Sequence, residues 1–420
     1  MGQDIEQIVR AAGEAANAGR WQEADALWRE VHRRDPADPR AAMSLAVHAM
    51  QRSDFGAART LLEDALLLRP ADPMLLLALA RARRGEGDEP GEGQAIDAAL
   101  AIDPYFLPAL LMKAARFERL GVSGAAAVLY RSSLKIAPPE GQEPPAMRAQ
   151  LAHARAFVRR YSDGLKAKLT AAIAPQLAGA PRATAERWRE AVSIMAGASA
   201  PYRQEAAQIH VPRLPAIPFY DRDLFAWAAD LEAKTDVIRQ ELTGLLEGGA
   251  AGFAPYIAIE RGQPVDQWAQ LNHSARWSHH SLWRHGAPNE LNLARCPATR
   301  AALEAVDMAS IEGLCPNAMF SALAPRTEIP PHHGETNARL VVHLPLIVPK
   351  RCTYRVGYER REWKVGEILV FDDTIEHTAR NDSDDLRVVL IFDVWNPLLS
   401  SEERAIVSEI ALAARAFAAL

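Results

Sequence analysis

Eight of the chain's twelve histidines lie beyond residue 270, and two segments among them carry the most chemistry. The first, IPPHHGETNARLVVHLPLIVP (329–349), holds His332, His333 and His343. The second, WKVGEILVFDDTIEHTARNDSDDLRVVLIFDVWNP (363–397), holds His377, with Arg387 ten residues further on. A histidine at a strand end, a second about 45 residues later and an arginine on a final strand suit a non-haem Fe(II) centre with a dicarboxylate cosubstrate. Neutral imidazoles hold Fe(II) and leave coordination positions open. The 2-oxo acid end of the cosubstrate chelates the metal. Its far carboxylate needs a permanent planar cation, which arginine supplies through two parallel charge-assisted bonds. The residues alone leave the first ligand open. His333-Gly334-Glu335 is an H-x-E that would complete a facial triad with His377, and His332 is the other candidate.

These groups need a β-rich scaffold, and the sequence changes texture near Ile209 to provide one. HVPRLPAIPFYDR is extended and punctuated by proline; DLFAWAADLEAKTDVIRQELTGLLE reads as one helix. FAPYIAIE, AMFSALA, RLVVHLPLIV, TYRVGY, EILVF and LRVVLIFDVW then read as antiparallel strands of a sandwich or barrel. Arg339, Val341 and His343 alternate along one such strand and share a face. Asp372 and Asp373 could each cap a turn instead of facing a pocket. His273, His279, His280 and His285, in NHSARWSHHSLWRHG, have the look of a second metal cluster but lack a second motif. Trp277 and Trp283 read as core or pocket wall.

The first third of the chain is different. Pro36, Pro70, Pro104 and Pro138 are spaced 34 residues apart, and Ala12, Ala46, Ala80 and Ala114 keep the same step. Ala24, Ala58 and Ala126 continue it on a second helix, where the third unit has Glu92 inside the run RRGEGDEPGEGQ. Small residues let two helices approach closely, and proline ends the second. Glycines around Glu92 predict a longer or looser inter-helix turn there. This periodicity resembles the tetratricopeptide repeat family over residues 5–140, which implies a concave surface for a protein or peptide segment. MRAQLAHARAFVRRY and TAERWREAVSIMAG carry apolar residues at helical spacing and read as capping helices and a bridge. The expected organisation is therefore multidomain α + β. It comprises repeats over 1–140, a helical cap and linker over 141–208, and a double-stranded β-helix (jelly-roll or cupin-like) domain over 209–420.

Composition narrows the function classes. Of 420 residues, 49% are hydrophobic and 24% charged, which excludes a disordered or collagen-like chain. A formal charge of −5 offers no basic surface for nucleic acid. Cys296, Cys315 and Cys352 are odd in number and far apart, so neither a disulfide frame nor a thiolate zinc site is expected. Neither a signal peptide nor an 18-residue apolar span is evident, so a cytoplasmic protein with no membrane partner is expected.

From IPFYDR (217–222) to DVWNP (393–397) the chain resembles the aspartyl/asparaginyl β-hydroxylase family of 2-oxoglutarate-dependent oxygenases. P-H-x-G-x-T-N-x-R at Pro331–Arg339, H-L-x-L at His343–Leu346 and F-D-D-T-x-E-H at Phe371–His377 carry the resemblance. It implies Fe(II) held by His332 and His377 alone, with Gly334 where related oxygenases place a carboxylate. It also implies 2-oxoglutarate bound by Arg387, Ser321 and His343, substrate met by Arg339 and Asp373, O2 as cosubstrate and ascorbate as a reductant. Val341 departs from members that carry a second cosubstrate-binding arginine there. Glu335 falls where proline is frequent. The implied reaction hydroxylates the β-carbon of an aspartyl or asparaginyl side chain in a protein or peptide recruited by the repeats, in a bacterial cytoplasm. The same chemistry on a small molecule or acyl chain, or a catalytically degenerate repeat scaffold, are the alternatives.

Overall fold

The computed structural model describes residues 2–249 and 252–418. The chain divides into two compact units, Met1–Ala198 and Ser199–Leu420.

In the first unit, among the described residues, eight helices form four pairs. They are α1 (Gly2–Asn17), α2 (Trp21–Arg34), α3 (Pro39–Gln51), α4 (Phe55–Leu68), α5 (Pro73–Gly85), α6 (Glu89–Ile102), α7 (Leu107–Arg119) and α8 (Ser123–Ile136). Each proline of the 34-residue step falls just beyond the second helix of its pair, as the repeat requires. All seven repeat alanines are fully buried, which is the close helix approach that small residues permit. A long α9 (Pro145–Leu177) and α10 (Arg182–Met195) follow, in agreement with the helical pattern of that segment.

The Gly-rich third unit differs from expectation. Its inter-helix turn, 86–88, is as short as the others. Two of its glycines are required by contact, since a Cβ on Gly85 would lie 2.2 Å from the Phe55 ring and one on Gly91 would meet the Asp88 carboxylate that caps α6, while Gly87 serves the turn at a φ of +80°. Glu92 is buried where the other units have alanine. Both its oxygens accept from Arg119 Nη2, at 2.6 and 2.7 Å, and Arg116 Nε is 3.8 Å away. The two arginines are partly exposed, so losing the carboxylate returns their charge to water instead of stranding it. Glu92→Ala should therefore change the free energy of urea unfolding by less than about 1 kcal/mol, where breaking a buried pair costs about 3–5.

The second unit is built from two facing antiparallel sheets. Its strands are β1 (Phe219–Tyr220), β2 (Ala254–Pro255), β3 (Trp277–Arg284), β4 (Ala287–Pro288), β5 (Ala318–Leu323), β6 (Thr327–His332), β7 (Arg339–Ile347), β8 (Cys352–Val356), β9 (Glu359–Arg361), β10 (Leu369–Phe371), β11 (His377–Asn381) and β12 (Arg387–Trp395). The larger sheet has the order β1-β10-β7-β12-β5-β3-β2, with β4 on β3; the smaller is β6-β11-β8-β9. β7 and β12 are buried on both faces. Leu340, Val342, Leu344, Val388, Leu390 and Phe392 pack outward, in one apolar core with Leu231 of α11 (Ala228–Glu232), Ile238 and Leu242 of α12 (Thr235–Glu247) and Leu303 of α14 (Pro297–Glu304). Short α13 (Glu290–Leu293) precedes α14, and α15 (Ser401–Ala418) closes the chain. The alternate residues of β7 and β12 face inward, where Val341 and Val389 join Tyr354, Trp363 and Phe371 in a second core.

Three differences from the strand reading have physical causes. The single helix expected over 223–247 is two, because the chain turns at Ala233–Lys234 and the Thr235 hydroxyl donates to the Glu232 carbonyl at 2.6 Å. FAPYIAIE contributes only the two residues of β2. WSHHSLWR, which looked like a metal cluster, is strand β3. Among the described residues, no helix is long and apolar enough to cross a membrane.

Candidate active site

β6 ends at His332 and β11 begins at His377, and the antiparallel register sets the two directly opposite. β6 contains Pro330 and Pro331, which cannot donate to a ladder; as the edge of its sheet it has no need to. The two imidazole centroids are 4.0 Å apart. His332 Nδ1 is 2.8 Å from the Pro330 carbonyl and His377 Nδ1 is 3.1 Å from that of Ile375. A carbonyl only accepts, so each Nδ1 carries the proton and each Nε2 keeps its lone pair. Burial lowers both pKa values, His377 furthest, so both rings are neutral. Two neutral imidazoles with free Nε2 lone pairs are a donor set that fits a divalent transition metal. Among the described residues, no group of three or more His, Cys, Asp or Glu side chains is arranged to hold a metal ion.

The neighbouring H-x-E does not join this pair in the fold. His333 turns toward Glu205, 3.9 Å away, and Glu335 lies beside Arg339 and Gln208. Gly334 packs directly on Asp373: a Cβ there would lie 2.0 Å from Oδ2, and the Gly334 N–H donates to the Asp373 carbonyl at 2.7 Å. Arg339 holds that carboxylate in place, so it cannot swing clear. Gly334→Ala should cost about 1–3 kcal/mol by overpacking. Gly334→Asp, which adds a carboxylate beside His332, should destabilise as much and should not tighten metal binding. Thermal melts and metal titrations of both variants check this, and removing the Asp373 side chain as well should recover part of the lost stability.

Across the cavity, Arg387 enters from the start of β12 and Ser321 from β5, where Val389 pairs with Ser321. Arg387 is 1% exposed, its Nη1 donates to the Ser321 carbonyl at 3.4 Å, and its Nε has no partner in the protein. Burial pushes its pKa down to about 10. Its guanidinium carbon lies 4.6 Å from the centre of the Trp363 ring. Trp277 Nε1 donates to Ser321 Oγ at 3.2 Å, which leaves the hydroxyl hydrogen free to donate elsewhere. Trp363 Nε1 donates to His343 Nδ1 at 3.2 Å. Burial, and then Arg387, hold the His343 pKa well below its ordinary value. His343 is thus neutral with its proton on Nε2, a tautomer set by Trp363. Sequence reasoning missed Trp363; a lone tryptophan in the polar turn before β10 was the available signal.

Arg339 is 5% exposed and faces three carboxylates: Asp373 at 2.8 Å, Asp393 at 3.4 Å and Glu335 at 3.5 Å. Burial opposes its charge, yet those three groups hold its pKa well above the ordinary value. Burial raises the pKa values of Glu335 and Asp393, against the pull of Arg339. Asp393, on β12 opposite Val341, was also missed from sequence. Of the two adjacent aspartates, Asp372 caps the turn through Thr374 N and accepts from Gln204, whereas Asp373 faces Arg339.

All seven expected site residues, His332, His377, Arg387, Ser321, His343, Arg339 and Asp373, line one cavity of about 400 Å³. His279 and His285 also line it, but His280 does not, and the exposed His273 bonds its own loop at the Ile259 carbonyl. These four do not gather into a metal site.

Residues 232–397 match the family model described as aspartyl/asparaginyl beta-hydroxylase. The chain is similar to the mouse aspartyl/asparaginyl beta-hydroxylase, 37% identical over 143 residues, covering 34% of this chain and 19% of that protein. It is also similar to the ornithine lipid ester-linked acyl 2-hydroxylase of Rhizobium tropici, 34% identical over 200 residues, covering 47% of this chain and 66% of that protein. The chain thus spans under a fifth of the mouse relative and just under two thirds of the bacterial one. Among solved structures, a thermophilic TPR protein of Thermus thermophilus aligns at 20% identity and a TM-score of 0.32, over 46% of this chain and 99% of that one.

Proposed function

We propose, on the premise that its C-terminal unit carries an aspartyl/asparaginyl beta-hydroxylase domain, that this chain is an Fe(II)/2-oxoglutarate-dependent hydroxylase. The observation that carries the reading is a pair of neutral imidazoles, Nε2 lone pairs free, lining the same cavity as a buried arginine that has no carboxylate partner. In this reading His332 and His377 hold the iron. Arg387 and the Ser321 hydroxyl take the far carboxylate of 2-oxoglutarate, and His343 donates from Nε2 to the carboxylate nearer the metal. The bound iron and cosubstrate would activate O2 and oxidise an unactivated C–H bond, with succinate and carbon dioxide as coproducts.

The residues of this chain bind, orient and exclude water. Trp277 and Trp363 each spend their one N–H on a cosubstrate-binding group, fixing how Ser321 and His343 point. Val341 is apolar where a second cation would serve, so Arg387 carries the cosubstrate's charge with neutral donors only. Arg339 and Asp373 lie on the substrate side.

The target in this reading is the β-carbon of an amino-acid side chain of aspartyl or asparaginyl type, in a peptide recruited by the repeats. An acyl chain is the second reading, favoured by the similarity to the Rhizobium enzyme. Three buried, unpaired cysteines suit a reducing, cytoplasmic setting. The test is succinate formation by the full chain with Fe(II), 2-oxoglutarate and O2, with and without candidate peptides. Succinate should form only when all three are present, and its absence would remove the reading.

A further inference from the structure

Tyr354 lines the same cavity as the two imidazoles and Arg387. It sits in the middle of β8, where Cys352, Tyr354 and Val356 are buried and the residues between them are half-buried. The residue is 2% exposed, and its ring packs among His343, Trp363 and Phe371 with centroids 4.9, 5.3 and 4.8 Å away. Among the described residues its hydroxyl has no hydrogen-bond partner. A buried tyrosine ordinarily finds one, and a phenol buried without it carries a desolvation cost that a ligand offering an acceptor would return. Burial, and then Asp373, push its pKa well above the ordinary value, so the hydroxyl keeps its proton and can donate.

Its neighbours place it at the Arg387 end. Trp363 packs against both residues: its ring is inclined 30° to that of Tyr354, and its face carries the Arg387 guanidinium at 4.6 Å. Arg387 and the phenol also act on each other electrostatically. A carboxylate bound there has more acceptor capacity than Arg387 and Ser321 can meet. It offers about four lone-pair sites, of which the arginine fork takes two and the serine hydroxyl a third. Val341, in the same core as Tyr354, contributes no donor.

We propose that the Tyr354 hydroxyl is a further cosubstrate-binding group, donating to the far carboxylate of 2-oxoglutarate beside Arg387 and Ser321. This rests on the hydroxylase reading and deepens it. A phenol supplies a donor without adding a second buried cation beside Arg387, which already lacks a carboxylate partner. Tyr354 thus completes the anchor in a chain that has valine at 341.

Tyr354→Phe removes one oxygen and keeps the ring. Without ligand the variant should melt at the wild-type temperature or higher, because no internal hydrogen bond is lost. Full-length wild type and variant, loaded with Mn(II), are then titrated by calorimetry with two probes. One is 2-oxoglutarate; the other is 2-oxopentanoate, which keeps the 2-oxo acid end and the chain length but ends in a methyl group. Tyr354→Phe should weaken 2-oxoglutarate binding at least about 10-fold and leave 2-oxopentanoate within about twofold. The rise in melting temperature that 2-oxoglutarate gives the wild type should shrink in the variant. An unchanged 2-oxoglutarate affinity would overturn the proposal. So would an equal loss for both probes, which would put the hydroxyl at the metal end, or a variant that melts lower without ligand, which would give the hydroxyl a partner inside the protein. A wild type that binds no 2-oxoglutarate would instead remove the hydroxylase reading itself, so the two failures are told apart.

Discussion

Arg387→Met is expected to make the protein more stable and unable to bind 2-oxoglutarate. Arg387 is the largest side chain fully buried in this unit, and among the described residues no carboxylate pairs with it. Its contacts are a long hydrogen bond to the Ser321 carbonyl and the face of Trp363, and its Nε is unmet. A buried charge without a counter-ion costs several kcal/mol in desolvation, and an apolar replacement of similar volume is commonly neutral or stabilising by about 1–4 kcal/mol. Methionine fills the same space with a flexible, polarisable chain. For a unit of this size a gain of about 1 kcal/mol raises the melting temperature by about 2–4 °C. Ligand should reverse the order. At 1,000 times its dissociation constant, 2-oxoglutarate adds about 4.1 kcal/mol to the wild type and nothing to the variant. Melting curves with and without cosubstrate should therefore cross, with the variant higher alone and the wild type higher when saturated. Arg387→Lys keeps a cation but loses the planar fork, so it should respond weakly to cosubstrate. A variant that melts lower than wild type and still shifts with 2-oxoglutarate would remove Arg387 from the cosubstrate site.

His377→Ala should abolish succinate formation, by at least about 10³-fold, or roughly 4 kcal/mol of barrier. On the proposed ligand set of His332 and His377, losing one leaves a single imidazole, which holds a divalent ion weakly. The wild type makes a second, less obvious expectation available. Two neutral ligands leave the charge of the ion uncompensated by the protein, so an anionic chelator must supply the compensation. Metal affinity measured by equilibrium dialysis should rise at least about 10-fold when 2-oxoglutarate is present, and by linkage 2-oxoglutarate should bind tighter by the same factor when metal is present. Metal retention that ignores the cosubstrate would mean that a third protein ligand completes the site.

The 34-residue step of prolines and alanines was readable in the sequence as paired helices, because each pair repeats the same local packing problem and solves it with the same small residues. The strands RLVVHLPLIV and LRVVLIFDVW were legible as apolar runs, and the shared face of Arg339, Val341 and His343 followed from the two-residue period of a strand. The turn at 86–88 was misread as long because Gly85, needed in α5 for contact with Phe55, looks the same in sequence as a glycine needed for flexibility.

The spacing of His332 or His333, His377 and Arg387, with the family resemblance, led the sequence reading to group them, and the fold brings all of them to one cavity. That spacing left the first histidine open; the register with β11 sets His332, the last residue of β6, directly opposite His377, while His333 lies just past the strand. Nor could it see that Glu335 and Asp393 would close on Arg339. Glu335 is only four residues from Arg339, but the 54 residues that separate Asp393 from Arg339 carry no information about a contact made by bringing β7 and β12 side by side. Tertiary structure alone decided which charges surround Arg339, because Asp373 and Asp393 come from parts of the chain that meet it only after folding.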